Sequence, residues 1–215
     1  MELQLLNGHN MILITGASKN IGEYLFEKYL SQGKDVYGTY CKTIKLTSTR
    51  LSRVDISDYQ SVYDWVRSID NLNDISLINC AGISYDSYAH KADPVEWKKV
   101  IEVNLIGTFN CIRCLLPSMR QQKFGRIINF SSVVPQKPTP GVSAYSASKS
   151  ALWGLAKSIS VEVGSLNITI NNINLGYASL GMGVEKVPQV YQEHIKKQIP
   201  SGKLCGPEDI FQTGE

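Results

Sequence analysis

Short runs of apolar and β-branched residues recur along the chain at Met11–Thr15, Asp35–Tyr40, Leu51–Asp55, Ile75–Asn79, Arg126–Phe130 and Ile168–Asn174. Most are too continuous for strands with one wet face, and a short run that is apolar on both faces reads as a buried parallel strand. Between most of them lie segments with apolar residues at helical spacing: Ile21–Ser31, Tyr59–Ile69, Val95–Met119 and Ser143–Gly164. The last two are long enough to cross a sheet face. This alternation predicts an α/β fold, a doubly wound parallel sheet with helices on both faces in three α/β/α layers.

Only ten residues separate Tyr40 from Leu51, and the stretch Thr43–Thr49 is rich in β-branched residues without a helical stripe. That crossover is expected to be short or irregular. Near the other end, Pro188, Pro200 and Pro207 break up the chain around a charged helical piece at Gln189–Gln198. This tail reads as a mobile cover over a site rather than a second domain, with residues 177–202 as the substrate-covering segment.

Composition narrows the picture. A chain of 215 residues, 43% of them hydrophobic, can bury a full core, so one domain over residues 1–215 is expected. A net charge of +3 is too small a bias to argue for nucleic acid or membrane as a partner. The five cysteines are odd in number and no secretory leader precedes the first strand, which argues for a reducing cytoplasm. Cys111 and Cys114 form a C-x-x-C inside an apolar helical stretch with no histidine nearby. Packing is the expected role, and no metal site is expected. No run of about eighteen apolar residues is present, so no segment is expected to span a bilayer.

Parallel sheets of this kind bind ligands beyond the carboxyl ends of their strands, where strand-to-helix turns aim N–H groups and helix dipoles into one crevice. The candidate residues sit at such ends. Thr15-Gly16-Ala17-Ser18-Lys19-Asn20-Ile21-Gly22 follows a strand and precedes a helix, a context suited to cradling a pyrophosphate. It lacks the full G-x-G-x-x-G string, so a plain strand-to-helix loop stands beside that reading. Asn20 occupies a position where the backbone must approach the cofactor, and asparagine is the non-glycine residue that best tolerates positive φ should the approach call for it.

Tyr145-Ser146-Ala147-Ser148-Lys149 opens a helix, and i,i+4 spacing sets the phenol and the ammonium on one face. A free phenol has a pKa near ~10, so proton transfer near neutrality requires the phenolate to be favoured by ~3 units, or about 4 kcal/mol. A nearby lysine cation supplies a shift of that sign. Ser132, thirteen residues earlier, closes a strand where its hydroxyl could hydrogen-bond a substrate carbonyl. Taken singly, the serine is an ordinary turn residue, and the tyrosine and lysine are an amphipathic helix start; the combination favours catalysis.

The turn Thr15–Gly22 together with Asp55, Asn79-Cys80-Ala81-Gly82, Asn104, Ser132 and Tyr145-x-x-x-Lys149 resembles the single-domain short-chain dehydrogenase/reductases, with a Rossmann-type fold. The likeness runs from Met11 to about Ile210 and is greatest to 3-oxoacyl-carrier-protein reductases. It implies an NAD(P)(H)-dependent oxidoreductase with Tyr145 as acid/base, Lys149 on the nicotinamide ribose, Ser132 polarising the carbonyl and Asn104 holding a relay water. It further implies that Asp55 and Ile56 contact the adenine, that Asn79, Ala81 and Gly82 line the cofactor, and that Gly16, Ser18, Lys19, Asn20, Ile21 and Gly22 surround the pyrophosphate. Gly176, after the sixth strand, lies towards the nicotinamide. Asp55 could equally cap the helix near Tyr59.

An acidic residue at the end of the second strand would bind a ribose 2′-OH and repel a 2′-phosphate. None is there; the strand runs out as Tyr40-Cys41-Lys42, and Lys19 lies in the glycine turn. NADPH is therefore expected over NADH, unless Lys19 and Lys42 are simply solvated. Two departures from the family stand out. Leu175-Gly176 replaces the usual Pro-Gly, and Pro207-Glu208-Asp209-Ile210 is followed by only five residues, with Thr213-Gly214 resembling the turn that opens a seventh strand. The expected sheet lacks that last strand, and residues 41–50 are short in the same way.

The substrate expected is a small or carrier-bound carbonyl compound, and the expected assembly a homodimer or homotetramer. Met182, Val184, Val187, Val190, Tyr191 and Ile195 suggest an apolar pocket wall. A non-catalytic dinucleotide-binding sensor or scaffold is the alternative, and a sugar-nucleotide epimerase, which needs a larger C-terminal domain, ranks last.

Overall fold

The computed structural model describes residues 10–42, 48–182 and 189–214. Residues 43–47, with most of the β-branched run, and Val184 and Val187 lie outside these, as do the side chains of Val190 and Tyr191. The strands are β1 (Ile12–Thr15), β2 (Val36–Tyr40), β3 (Leu51–Arg53), β4 (Ser76–Asn79), β5 (Gly125–Ser132) and β6 (Ile168–Leu175). They form one sheet in the order β3-β2-β1-β4-β5-β6, with every neighbouring pair parallel. The chain winds outward from β1 to β3, then crosses back to β4 on the other side of β1. The switch point thus lies between β1 and β4, and a crevice opens beyond their carboxyl ends.

Alternation along the strands feeds two cores. Leu13, Leu77 and Ile127 pack with α2 (Tyr59–Arg67), α4 (Thr108–Gln122) and α5 (Ser143–Val163) on one face. Ile12, Ile14, Ile78 and Ile128 pack with α1 (Asn20–Ser31) on the other. Full burial of such a side chain is worth about 1.5–3 kcal/mol, which makes these faces the main adhesive between layers.

Val95–Met119, expected as one helix, is three pieces: α3 (Pro94–Ile101), a π-helical stretch (Glu102–Gly107) and α4. Asp93 caps α3 through Val95 N–H at 2.7 Å. The π turn is held by tertiary contacts: Asn104 is tied to Ile83, and a Cβ on Gly107 would come within 2.7 Å of the Ile56 side chain. By length and average composition Pro94–Gln122 could cross a bilayer, against expectation, yet Cys111, Ile112, Leu115 and Met119 are buried against the sheet. The membrane reading therefore gives way to a core helix.

After β6, Ser179 N–H donates to Cys205 O (2.8 Å) and Cys205 N–H to Tyr177 O (3.1 Å), closing the base of the segment that carries α6 (Gln189–Gln198). The last element, α7 (Pro207–Gly214), corrects the reading of Thr213-Gly214 as a turn opening a strand. Both residues are helical. Ile210 and Phe211 are buried against α1, Phe211 stacks at a tilt on Tyr29 (5.0 Å), and Gly214 is buried facing the Tyr29 hydroxyl. Burial of that apolar face outweighs the local turn signal.

Candidate active site

The glycine turn is built by close approach. Gly16 has φ +68°, and a Cβ there would lie 2.8 Å from the Ala81 Cα across the switch point. Gly22 sits so near the turn that its Cβ would fall 2.3 Å from Gly16 O. Thr39 holds the turn by accepting from Gly16 N–H (Oγ1, 3.3 Å) and Ala17 N–H (O, 2.7 Å), and Ala81 N–H donates to Thr15 Oγ1 at 3.1 Å. Asn20 has φ 56°, as its position demands, and its side chain faces Gly181. No side chain caps the first turn of α1, so its N–H groups and dipole are presented to the crevice. Ser18 is buried beneath this turn, Ile21 is half-buried and Lys19 is exposed. This uncapped turn, with glycine where a side chain would fill the cradle, fits a dinucleotide pyrophosphate.

At the end of β4, Gly82 lies against Asn104 and Lys149: a Cβ would come within 3.3 Å of Asn104 Oδ1 and 3.7 Å of Lys149 Nζ. The fully buried Asn104 accepts from Ile83 N–H (2.8 Å) and donates to Ile83 O (2.9 Å) and Ser148 Oγ (3.0 Å). The Ser148 hydroxyl donates to Tyr145 O at 2.8 Å, so one carboxamide joins the loop after β4 to the first turn of α5. Sequence reading missed Ser148, although it stands beside Lys149.

Ser132, Tyr145 and Lys149 come together at the carboxyl end of β5. The Ser132 hydroxyl, which accepts from Val134 N–H at 3.1 Å, lies close enough to the Tyr145 phenol to pull its pKa down, and Lys149 Nζ lies 5.7 Å from the Tyr145 ring centroid. The ammonium is buried and donates to Phe130 O at 2.6 Å, while Ser131 Oγ donates to Lys149 O at 3.0 Å. Burial lowers the lysine to about 8, partly countered by the Cys80 thiol nearby. Burial pushes the Tyr145 phenol up, with the nearby Ser132 hydroxyl pulling it down. Because Lys149 is lowered to about 8, it has lost its charge before the phenol itself ionises, so the expected lowering by the lysine is confined to the pH range in which the ammonium is charged.

Around the adenosine end the placement is mixed. Tyr40 is half-buried against the α1 face and Lys42 is exposed beside it. Asp55 accepts from Ser57 N–H (3.0 Å) and Ser57 Oγ (2.6 Å), and the cap of α2 is Asp58 instead. The Ile56 side chain is buried in the core, and its carbonyl is held by Asn110 Nδ2 at 2.9 Å. Asn110 carried no signal beyond being polar within an apolar helix. Gly176 has open space around it; Leu175 O, which accepts from Val133 N–H at 3.0 Å, secures the exit of β6 next to that of β5.

A winding order with its switch point at an uncapped glycine turn, beside a serine–tyrosine–lysine group, defines a nucleotide-dependent oxidoreductase of the Rossmann type. The family model "short chain dehydrogenase" matches residues 10–190, and the chain belongs to that family. It is 36% identical over 208 residues to the acetoacetyl-CoA reductase of Rhizobium meliloti, covering 92% of this chain and 86% of that one. It is 31% identical over 211 residues to the 3-oxoacyl-[acyl-carrier-protein] reductase of Haemophilus influenzae, covering 94% and 87%. The crystal structure of the 3-oxoacyl-[acyl-carrier protein] reductase from Brucella melitensis superposes with a TM-score of 0.83 at 27% identity, covering 99% of this chain and 89% of that one. The protein is an NAD(P)(H)-dependent oxidoreductase, as its sequence implied.

Proposed function

We propose that the protein is an NADPH-preferring carbonyl reductase acting on a 3-oxoacyl group, as a free thioester or on a carrier, with Tyr145 as proton donor. The observation that carries this reading is the meeting of Ser132, Tyr145 and buried Lys149 beside the uncapped turn of α1. Nicotinamide, when bound, supplies the hydride. The Ser132 and Tyr145 hydroxyls form a pair of donors for a carbonyl oxygen, and the phenol gives up its proton as negative charge develops there. Lys149, a cation below about pH 8, favours the phenolate left behind. Asn104 and Ser148 hold the phenol's helix turn at a fixed distance from the loop that lines the crevice.

The 3-oxoacyl class is drawn from the relatives, which act on acetoacetyl-CoA and 3-oxoacyl-carrier substrates. NADPH is favoured because the end of β2 presents no carboxylate while Lys19 and Lys42 are nearby in the chain. The reading extends to one domain over the whole chain, to a reducing cytoplasm in keeping with five free thiols, and to a homo-oligomer in keeping with exposed Ile106, Phe109 and Val161 on neighbouring helices. No described residue favours the non-catalytic alternative.

The test is NADPH oxidation by the purified protein with acetoacetyl-CoA, alongside Tyr145→Phe. The variant is expected to bind NADPH as the wild type does and to lose turnover by about 10²–10⁴. Retained turnover in that variant would overturn the assignment.

A further inference from the structure

We infer that Arg53, on the short third strand, is a specificity-determining residue for the cofactor's 2′-phosphate; this rests on the NADPH reading above. The relevant contacts are local and specific. Arg53 is the last residue of β3 and stands in register with Tyr40, the last residue of β2. Its Nε donates to Cys41 O at 3.2 Å, just past the end of β2. Leu51, two positions earlier, is buried in the α1-face core, so the strand's period of two sets Arg53 on that same face, where the glycine turn begins α1. The guanidinium is therefore pinned at the carboxyl edge of the second strand, where a doubly wound fold receives the adenosine ribose.

The chemistry of the pinning matters. A guanidinium offers five N–H donors in a planar fork. With Nε committed to Cys41 O, the two terminal amino groups are left to meet an anion with two oxygens in one plane. Because the side chain is already oriented, less rotamer entropy is lost on binding than for a free surface lysine. Among the described residues no carboxylate pairs with Arg53, whereas the neighbouring Arg50 is engaged by Asp35 at 2.5 Å at the other end of the same strands. Two arginines three residues apart thus do different work: Arg50 braces the amino-terminal end of β2, and Arg53 guards the carboxyl end. Lys42, exposed at the same edge, adds positive charge.

The experiment is a set of equilibrium binding titrations with NADPH, NADH, adenosine 2′,5′-bisphosphate and adenosine 5′-monophosphate, on wild type, Arg53→Gln, Arg53→Lys and Lys42→Gln. In the wild type the 2′-phosphorylated member of each pair binds more tightly. Arg53→Gln weakens both 2′-phosphorylated ligands by roughly ten- to hundredfold and leaves the other two unchanged. Arg53→Lys recovers part of the loss, and Lys42→Gln costs less than Arg53→Gln. Equal weakening of all four ligands would assign Arg53 a structural role and overturn the inference. So would unchanged affinities in Arg53→Gln, with the NADPH reading left standing if the wild type still discriminates. A wild type that binds both members of each pair equally would overturn the NADPH reading and this inference together.

Discussion

Lys149 is the residue on which the pH behaviour turns. Its ammonium is buried and lowered to about 8, while the Tyr145 phenol is raised by burial and stays protonated through the neutral range. As pH rises through about 8 the lysine loses its charge first, and with it the cation that favours the phenolate. The kcat/KM for carbonyl reduction is therefore expected to fall with a limb near pH 8, and Lys149→Arg, which stays charged, to move that limb upward. An unmoved limb would detach it from the lysine. Gly16 is the second decisive residue. Alanine there must adopt φ +68° with its Cβ 2.8 Å from the Ala81 Cα, so Gly16→Ala should cost about 1–2 kcal/mol of stability and abolish nucleotide binding, measurable by denaturant titration and by NADPH fluorescence. Sequence reading found Gly16, Tyr145, Lys149 and Ser132 because each is a residue type at a strand end or a helical repeat. It missed Asn110, Thr39 and Ser148, whose roles exist only through partners far along the chain.

Between elements, the least anticipated feature is a row of three asparagines across the sheet. Asn79, Asn129 and Asn172 are in register on β4, β5 and β6. Asn79 Nδ2 donates to Asn129 Oδ1 (2.9 Å), Asn129 Nδ2 to Asn172 Oδ1 (3.0 Å), and Asn172 Nδ2 to Leu152 O (3.0 Å) on the helix that carries Tyr145 and Lys149. The carboxamides point the same way and join the crevice strand to the catalytic helix. Asn129 is fully buried in the middle, so Asn129→Ala leaves a donor and an acceptor unsatisfied and should cost about 2–3 kcal/mol. Asn172→Ala, at the half-buried end, should cost less. In urea unfolding the double variant is expected to lose less than the two single losses added, because one row is broken either way; strict additivity would show that the three act separately. The strands that carry the row were legible, since continuous apolar runs mark them to within a residue or two at most ends. The π turn was not, because the apolar spacing of Val95–Met119 runs straight through it and only the distant Ile83 and Ile56 enforce the change.

For the molecule as a whole, both winding directions and the crevice between them followed from the order of strands and helices, whereas the fate of the C-terminal residues did not. Thr213-Gly214 reads locally as a turn, but α7 is set by Phe211 on Tyr29 and by Glu208, which accepts from Tyr24 OH (2.6 Å) and Lys28 Nζ (3.0 Å) on α1. Such contacts join residues 180 or more positions apart, and local patterning carries no trace of them. The opposite face of the sheet bears on assembly. Ile106 and Phe109, at the π turn and the start of α4, are 44% and 42% exposed, and Val161 on α5 is 88% exposed. Scattered apolar residues are ordinary on a surface, but these belong to helices that cover one face and have their other sides in the same core. A two-fold contact through that face would bury the same patch on both copies, the usual arrangement in homodimers. Light scattering after size exclusion is expected to give a dimer or tetramer for the wild type and a smaller species for Phe109→Glu, which sets a charge on the exposed side of α4. If the wild type runs as a monomer, or if Phe109→Glu leaves the mass unchanged, the α4–α5 face is not the interface.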